Sequence, residues 1–174
     1  PFLHQLDTPG YNYAGPGVYA KDHARLPNRT MVGTESVAQD TMRVYGYVSN
    51  MSWVVGDFIW TAIDSLGDNY FPTTTGDVDY LTSKIPFPWH ISNCGDLDIL
   101  GHPKPQSAYR RVVWGIDPIA MLVHRPSAVG TVSLPGVSEK LSLWGWPDEE
   151  ESWTWPQIFD GKPMQVRVFA RGCN

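Results

Sequence analysis

The chain lacks the cationic surplus that a nucleic-acid partner requires. Its 13 Lys and Arg stand against 18 Asp and Glu, a formal net charge of −5, so few phosphates could be neutralised. It has no run of about 18 apolar residues, which excludes a membrane-spanning helix. No secretory leader is visible in a chain that starts at Pro1. Cysteine is scarce. Cys94 and Cys173 match no metal or redox spacing; one disulfide between them is open, and two unpaired thiols are the expectation. His4, His23, His90, His102 and His124 show no metal-ligand spacing either. Glutamate is the most telling shortage. Glu35 is the only one before Glu139, and Glu149, Glu150 and Glu151 follow in one acidic cluster.

What the chain has in plenty is aromatic side chains: 8 Trp, 8 Tyr and 6 Phe in 174 residues. That length suits one sizeable domain or two small ones. Two N-glycosylation sequons, at Asn28 and Asn50, matter only in a secreted eukaryotic protein. A strand end is expected within 7–13, at Gly10-Tyr11-Asn12-Tyr13, and a short helix over 18–26, closed by Leu26-Pro27. Residues 30–34 read as a buried strand. Residues 36–48 read as a helix capped by Ser36, with Ala38, Met42 and Tyr45 at helical spacing. Residues 53–60 read as a second apolar strand. A long Gly-, Pro-, Thr- and Asp-rich loop spans roughly 64–104, and loops of that length usually carry function. Residues 105–114 read as a helix with Pro105 in its first turn.

This order, with near-continuous apolar strands, implies a parallel sheet covered by helices. About three strand positions cannot close a barrel and leave open edges. After residue 117 the pattern changes. Ile119–Val123, Lys140–Trp146 and Met164–Ala170 are β-rich and separated by Pro/Gly turns, as in a β-sandwich. The chain therefore reads as a window across the end of one domain and the start of the next.

Glu35 stands where a strand ends and a helix is expected to begin, and acid/base chemistry on a sugar usually needs two carboxylates. Around it, Gly10-Tyr11-Asn12-Tyr13, Gly33-Thr34-Glu35-Ser36 and Val55 to Asp64 occur in order. Cys94-Gly95-Asp96-Leu97-Asp98, Lys104-Pro105-Gln106-Ser107 and Trp144-Gly145-Trp146-Pro147 follow. Jointly, these segments resemble glycoside hydrolase family 2, and most nearly the β-galactosidases common in gut Bacteroidetes. The resemblance covers nearly the whole chain.

The resemblance implies an α/β plus β fold. Residues 1–116 would be the C-terminal portion of a (β/α)8 TIM barrel, and 117–174 the beginning of an immunoglobulin-like β-sandwich. Active sites of such barrels lie at the C-terminal ends of the strands, and Glu35 and Trp60 fall at expected strand ends. Glu35 matches the family's nucleophile in a retaining mechanism, forming a glycosyl-enzyme ester. The family's acid/base glutamate lies in an Asn-Glu pair on an earlier strand. No such pair occurs here, so that residue and the remaining strands must come from elsewhere in a longer chain or from another chain. This chain alone is expected to be inactive and prone to association. Trp60 matches an aromatic that stacks on the sugar. Tyr13, beside Asn12, matches a tyrosine that hydrogen-bonds the nucleophile, with Tyr11 as the competitor. The Asn-x-Lys element of β-glucuronidases is not recognisable, which favours a neutral terminal β-galactoside over a β-glucuronide; a β-mannoside stays open. No organic cofactor or metal is implied. A secreted or periplasmic location is favoured, and an oligomer is open.

Plainer readings stand beside these. Glu35 could cap the following helix, Trp60 could be core, and Asn12 and Tyr13 could shape a turn. Asp57 and Asp64 are expected in a hydrogen-bond network at the barrel end. Asp96 and Asp98 could hold a cation or a sugar hydroxyl, or simply order their loop. Trp144, Trp146, Trp153 and Trp155 are expected in core packing rather than a sugar platform, and Glu149 to Glu151 in a solvated turn. The alternative of a different class is a non-catalytic carbohydrate-binding or assembly module.

Overall fold

The structure, a computed structural model, describes residues 2–66, 91–92, 94–124, 146–147, 149–155 and 164–172. It forms two compact units, Pro1–Thr61 and Ala62–Asn174.

The first unit opens with a 3-10 turn at Phe2–Gln5 and is built on three parallel strands in the order β1-β2-β3: β1 (Gly10–Asn12), β2 (Met31–Glu35) and β3 (Val54–Asp57). Helix α1 (Pro16–Arg25) joins β1 to β2, and α2 (Thr41–Asn50) joins β2 to β3. Pro16 opens α1, where its missing N–H costs nothing. The helix stops at Arg25 because Leu26 precedes Pro27 and is forced out of the helical region, to φ −137°. On α2, Thr41, Val44 and Tyr47 recur at helical spacing and are buried. Tyr19 from α1 and Val44 and Tyr47 from α2 close over Met31 of β2 and Val54 of β3. Each such side chain stabilises the unit by about 1.5–3 kcal/mol on burial. Aromatic packing continues through this core, with Tyr11 edge-on to Tyr19 at 5.3 Å and His23 stacked on Trp53 at 3.7 Å.

One expectation fails here. Ser36 does not cap a helix, and no helix starts at 36. The chain stays extended through Val37, makes a 3-10 turn at Ala38–Asp40, and enters α2 only at Thr41. The Ser36 hydroxyl is instead donated to Asp57, so it is not available to the helix amides.

In the second unit, β4 (Ser65–Leu66) pairs antiparallel with β5 (Ile91–Ser92). The region read as one long loop thus contains a short paired ladder. Most of its interior lies outside the described residues. Helix α3 (Pro105–Val113) follows, again opened by a proline. Then β6 (Ile119–His124) pairs antiparallel with both β7 (Glu149–Glu150) and β8 (Val166–Ala170), in the order β7-β6-β8. Tyr109 of α3 packs on Trp146 and Phe169, with ring centroids 5.4 and 4.5 Å away. Leu122 and Val123 are fully buried, and Ala120, Val112 and Val113 are buried as well.

Two tryptophans separate cleanly. Trp146 is core, as expected, whereas Trp153 is 53 % exposed. Trp155 donates its indole N–H to the Ser152 carbonyl, and Trp144 lies outside the described residues. The expected solvated turn holds for Glu151, which is exposed in a bend, but not for Glu149 and Glu150, which form a strand. Glu149 sits on β7 with 5 % of its surface exposed. The Arg167 guanidinium reaches it at 3.0 Å, and the Trp146 indole N–H donates to it at 3.2 Å. A cation reaching over from β8, on the far side of β6, makes that burial tolerable. Cys94 is buried; Cys173 lies outside the described residues.

Candidate active site

The three parallel strands end together at Asn12, Glu35 and Asp57. Along β1 and β2 the register runs Gly10 to Val32 and Tyr11 to Gly33, then slips so that Asn12 faces Glu35. The slip is a local irregularity of the kind that re-aims side chains at sheet ends. Close packing fixes the approach: a Cβ on Gly10 would lie 2.3 Å from the Thr34 methyl carbon. The Thr34 hydroxyl then donates to the Asn12 side-chain oxygen at 2.8 Å. Tyr13 adopts the left-handed region, φ 53°, and its backbone N–H donates to the Glu35 carbonyl at 2.7 Å. Asn12 and Tyr13 are thus tied to Glu35 through the backbone.

On the other side, the Phe58 N–H donates to the Gly33 carbonyl and the Trp60 N–H to the Ser36 carbonyl, both at 2.8 Å. The peptide bond after Trp60 is cis. Asn12, Tyr13, Glu35 and Trp60 therefore gather at one end of one sheet, and each is at least partly accessible. Among the described residues no hydrogen bond or ion pair engages the Glu35 carboxylate.

Tyr11, the competitor to Tyr13, is committed elsewhere. Its hydroxyl donates to Asp22 at 2.6 Å. Burial, then the adjacent Asp22 carboxylate, push its phenol up to about 12. Asp22 also takes Arg25 and Arg29. The Arg25 guanidinium, the Tyr11 hydroxyl and Arg29 hold it well below the usual carboxylate range. This is a structural network under the sheet.

The acids of the second unit are likewise engaged. Asp64 accepts from the Gly95 N–H at 2.8 Å and from Lys104 Nζ at 2.8 and 2.9 Å. Asp96 takes Arg110 at 2.5 Å. Asp98 accepts from the Leu100 and His102 backbone N–H groups at 2.8 and 2.9 Å. The His102 amide, with the Leu100 amide, holds its carboxyl below the ordinary value against the opposing effect of burial. These contacts order the 94–104 loop. No cluster of three or more His, Cys, Asp or Glu that could hold a metal occurs among the described residues.

No family model matches the chain, and no curated protein matches it. Solved structures do. A glycosyl hydrolase family 2 member from Bacteroides cellulosilyticus is 35% identical over 97% of this chain, with a TM-score of 0.76. A second family 2 member, from Bacteroides cellulosilyticus DSM 14838, is 31% identical over 97% of this chain, with a TM-score of 0.66. These matches support glycosyl hydrolase family 2 for this chain. The chain spans 21% and 18% of the lengths of those two proteins, so it is similar to a segment of family 2 proteins about five times longer.

The chemistry open to the site follows from what surrounds Glu35. A partly buried carboxylate with no cation bound to it among the described residues keeps its lone pairs for a substrate and can serve as nucleophile or base. A two-carboxylate reaction needs a second acid at the same place. The nearest glutamate in sequence is Glu139, which lies outside the described residues.

The sequence reading expected Asp57 in a hydrogen-bond network but missed that its partner is Ser36, the residue after Glu35. A signal was available. Gly33 lies inside an apolar strand, and a glycine there often marks a close approach of another chain segment.

Proposed function

We propose that this chain is part of a retaining glycoside hydrolase acting on terminal β-galactosides, with Glu35 as the nucleophile. The observation that carries the proposal is the placing of Glu35, without a side-chain partner among the described residues, at the C-terminal end of the middle strand of a parallel sheet. Active sites of α/β barrels occupy that end of the strands. The likeness to family 2 structures supports a glycosidase parent; the galactoside and the retaining course rest on the motif resemblance.

In this reading Glu35 attacks the anomeric carbon to form a glycosyl-enzyme ester. A second glutamate, from residues outside this chain, protonates the leaving oxygen about 5–5.5 Å away and then activates water. Trp60 stacks on the apolar face of the sugar, and Tyr13 and Asn12 line the nucleophile's side of the pocket. No organic cofactor takes part.

Residues 1–116 would contribute the last strands of a (β/α)8 barrel, and 117–174 the start of an immunoglobulin-like sandwich. The remaining barrel strands would cover Val55 and Phe58, which are 63 % and 66 % exposed on and just after the edge strand β3. A secreted or periplasmic setting fits the reading.

The deciding experiment uses the full-length gene product. Glu35→Gln should lower turnover of an aryl β-galactoside by at least about a thousandfold, with sugar binding largely retained. A 2-deoxy-2-fluoro-β-galactoside should label Glu35 covalently, read by peptide mass spectrometry. Near-normal turnover by the variant, or label on another residue, would remove Glu35 from the role. Sugar binding with no hydrolysis in the wild type would instead favour a non-catalytic carbohydrate-binding module.

A further inference from the structure

We infer that Asp57 is a positioning residue that sets Glu35 and Trp60 in register with each other. The inference rests on Glu35 being the nucleophile, and it assigns a role to a side chain that touches no substrate.

Three contacts carry it. First, Asp57 stands across the ladder from Gly33, two residues before Glu35. Its carboxylate occupies the space a side chain at 33 would need: a Cβ there would lie 2.1 Å from Asp57 Oδ1. Second, its other oxygen, Oδ2, accepts the Ser36 hydroxyl at 2.5 Å. Ser36 is buried and directly follows Glu35. Third, the Ser36 carbonyl accepts the Trp60 N–H at 2.8 Å. One carboxylate therefore bears on both flanks of Glu35 and, through Ser36, on Trp60.

The chemistry suits the task. A hydrogen bond to an ionised acceptor is short and strong, and a partly buried one resists competition from water. The charge also reaches the core. The phenols of Tyr19 and Tyr47 are pushed up by burial first, with the Asp57 carboxylate adding to the effect. A nucleophile displaced by about 1 Å can lose about a hundredfold in rate, so a clamp at this point acts on the step in which Glu35 attacks.

The test compares Asp57→Asn, Asp57→Ala and Ser36→Ala in the full-length protein. Covalent labelling of Glu35 by a 2-deoxy-2-fluoro-β-galactoside gives the inactivation rate and the inhibitor affinity separately. Asp57→Ala and Ser36→Ala should slow inactivation at least about tenfold, with a smaller change in affinity. Asp57→Asn keeps an oxygen acceptor for Ser36 and should recover most of the rate. Wild-type inactivation by Asp57→Ala, or Asp57→Asn as slow as Asp57→Ala, would overturn the inference. Hydrogen exchange gives a readout independent of catalysis. The peptide containing Phe58 and Trp60 should exchange faster in Asp57→Ala and Ser36→Ala than in the wild type, and Asp57→Asn should stay near the wild type. Unchanged exchange in both alanine variants overturns the clamp whatever the labelling shows. A wild-type enzyme that takes no label at Glu35 ends the nucleophile reading instead, and the exchange result alone then decides whether Asp57 holds this edge.

Discussion

The acids of the two units differ in one respect, the place of Glu35. In residues 62–174, Asp64, Asp96, Asp117 and Glu149 each face a lysine or arginine, with Lys104, Arg110, Arg111 and Arg167 as partners. In residues 1–61, Asp22 and Asp40 are paired in the same manner, but Glu35 is left without a partner among the described residues. A carboxylate held by a cation has its charge and lone pairs committed. One held only through its backbone keeps them for a substrate. The contrast sets the acids that hold the fold apart from Glu35, whose carboxylate stays open for the role proposed above.

The sharpest way to break this contrast is to measure activity and stability on the same variants of the full-length protein. Glu35→Gln should remove activity yet shift unfolding free energy by no more than about 0.5 kcal/mol, since no partner is orphaned. A large loss of stability in a denaturant titration would make Glu35 a structural acid after all. Asp64→Ala should behave in reverse. It strands the buried Gly95 N–H and the Lys104 ammonium, and should cost about 3–5 kcal/mol. A near-neutral effect would show that these ion pairs do not hold the 94–104 loop.

Asp22→Asn sharpens the comparison by pH. The folded pKa of Asp22 is depressed, so its contribution is full above the unfolded value and is lost as pH falls through the folded one. The variant's deficit should be largest above about pH 5 and shrink steadily below it. A deficit that does not change with pH would remove the charge from the account.

Glu149 carries the opposite sign and the smallest effect. Burial, opposed in part by Arg167 and Trp146, raises its folded pKa. The protonated form is then favoured in the fold, and stability is lost as pH rises through that raised value. Relative to the wild type, Glu149→Gln should become more stable between pH 4 and pH 7, by less than about 1 kcal/mol. A shift in the other direction would show that the Arg167 pair outweighs desolvation.

Local chemistry made much of the first unit legible. Leu26-Pro27 closes a helix there, and in the second unit Pro105 opens one. The apolar runs at 31 and 54 became neighbouring parallel strands. Asn12, Tyr13, Glu35 and Trp60 fell at one sheet end because parallel strands joined by helices must end on the same side. Ser36 was misread because a serine before a helical pattern is a plausible cap, and only a side chain 21 residues away shows that its hydroxyl is taken. Glu149 was misread for a similar reason. Four successive acids, Asp148 to Glu151, look like solvent-facing residues, and nothing in their neighbourhood announces Arg167.

The sequence by itself determined the strand-helix-strand order of the first unit, the lone glutamate and its place at a strand end, since these depend on period, proline and composition within a few residues. The tertiary structure decided which hydroxyls and carboxylates are already engaged: Tyr11 by Asp22, Ser36 by Asp57, Glu149 by Arg167. Those pairings form across strands and helices whose spacing along the chain carries no trace of them. Whether a carboxylate is free to react is therefore a property of its neighbours in space rather than of its own residue type.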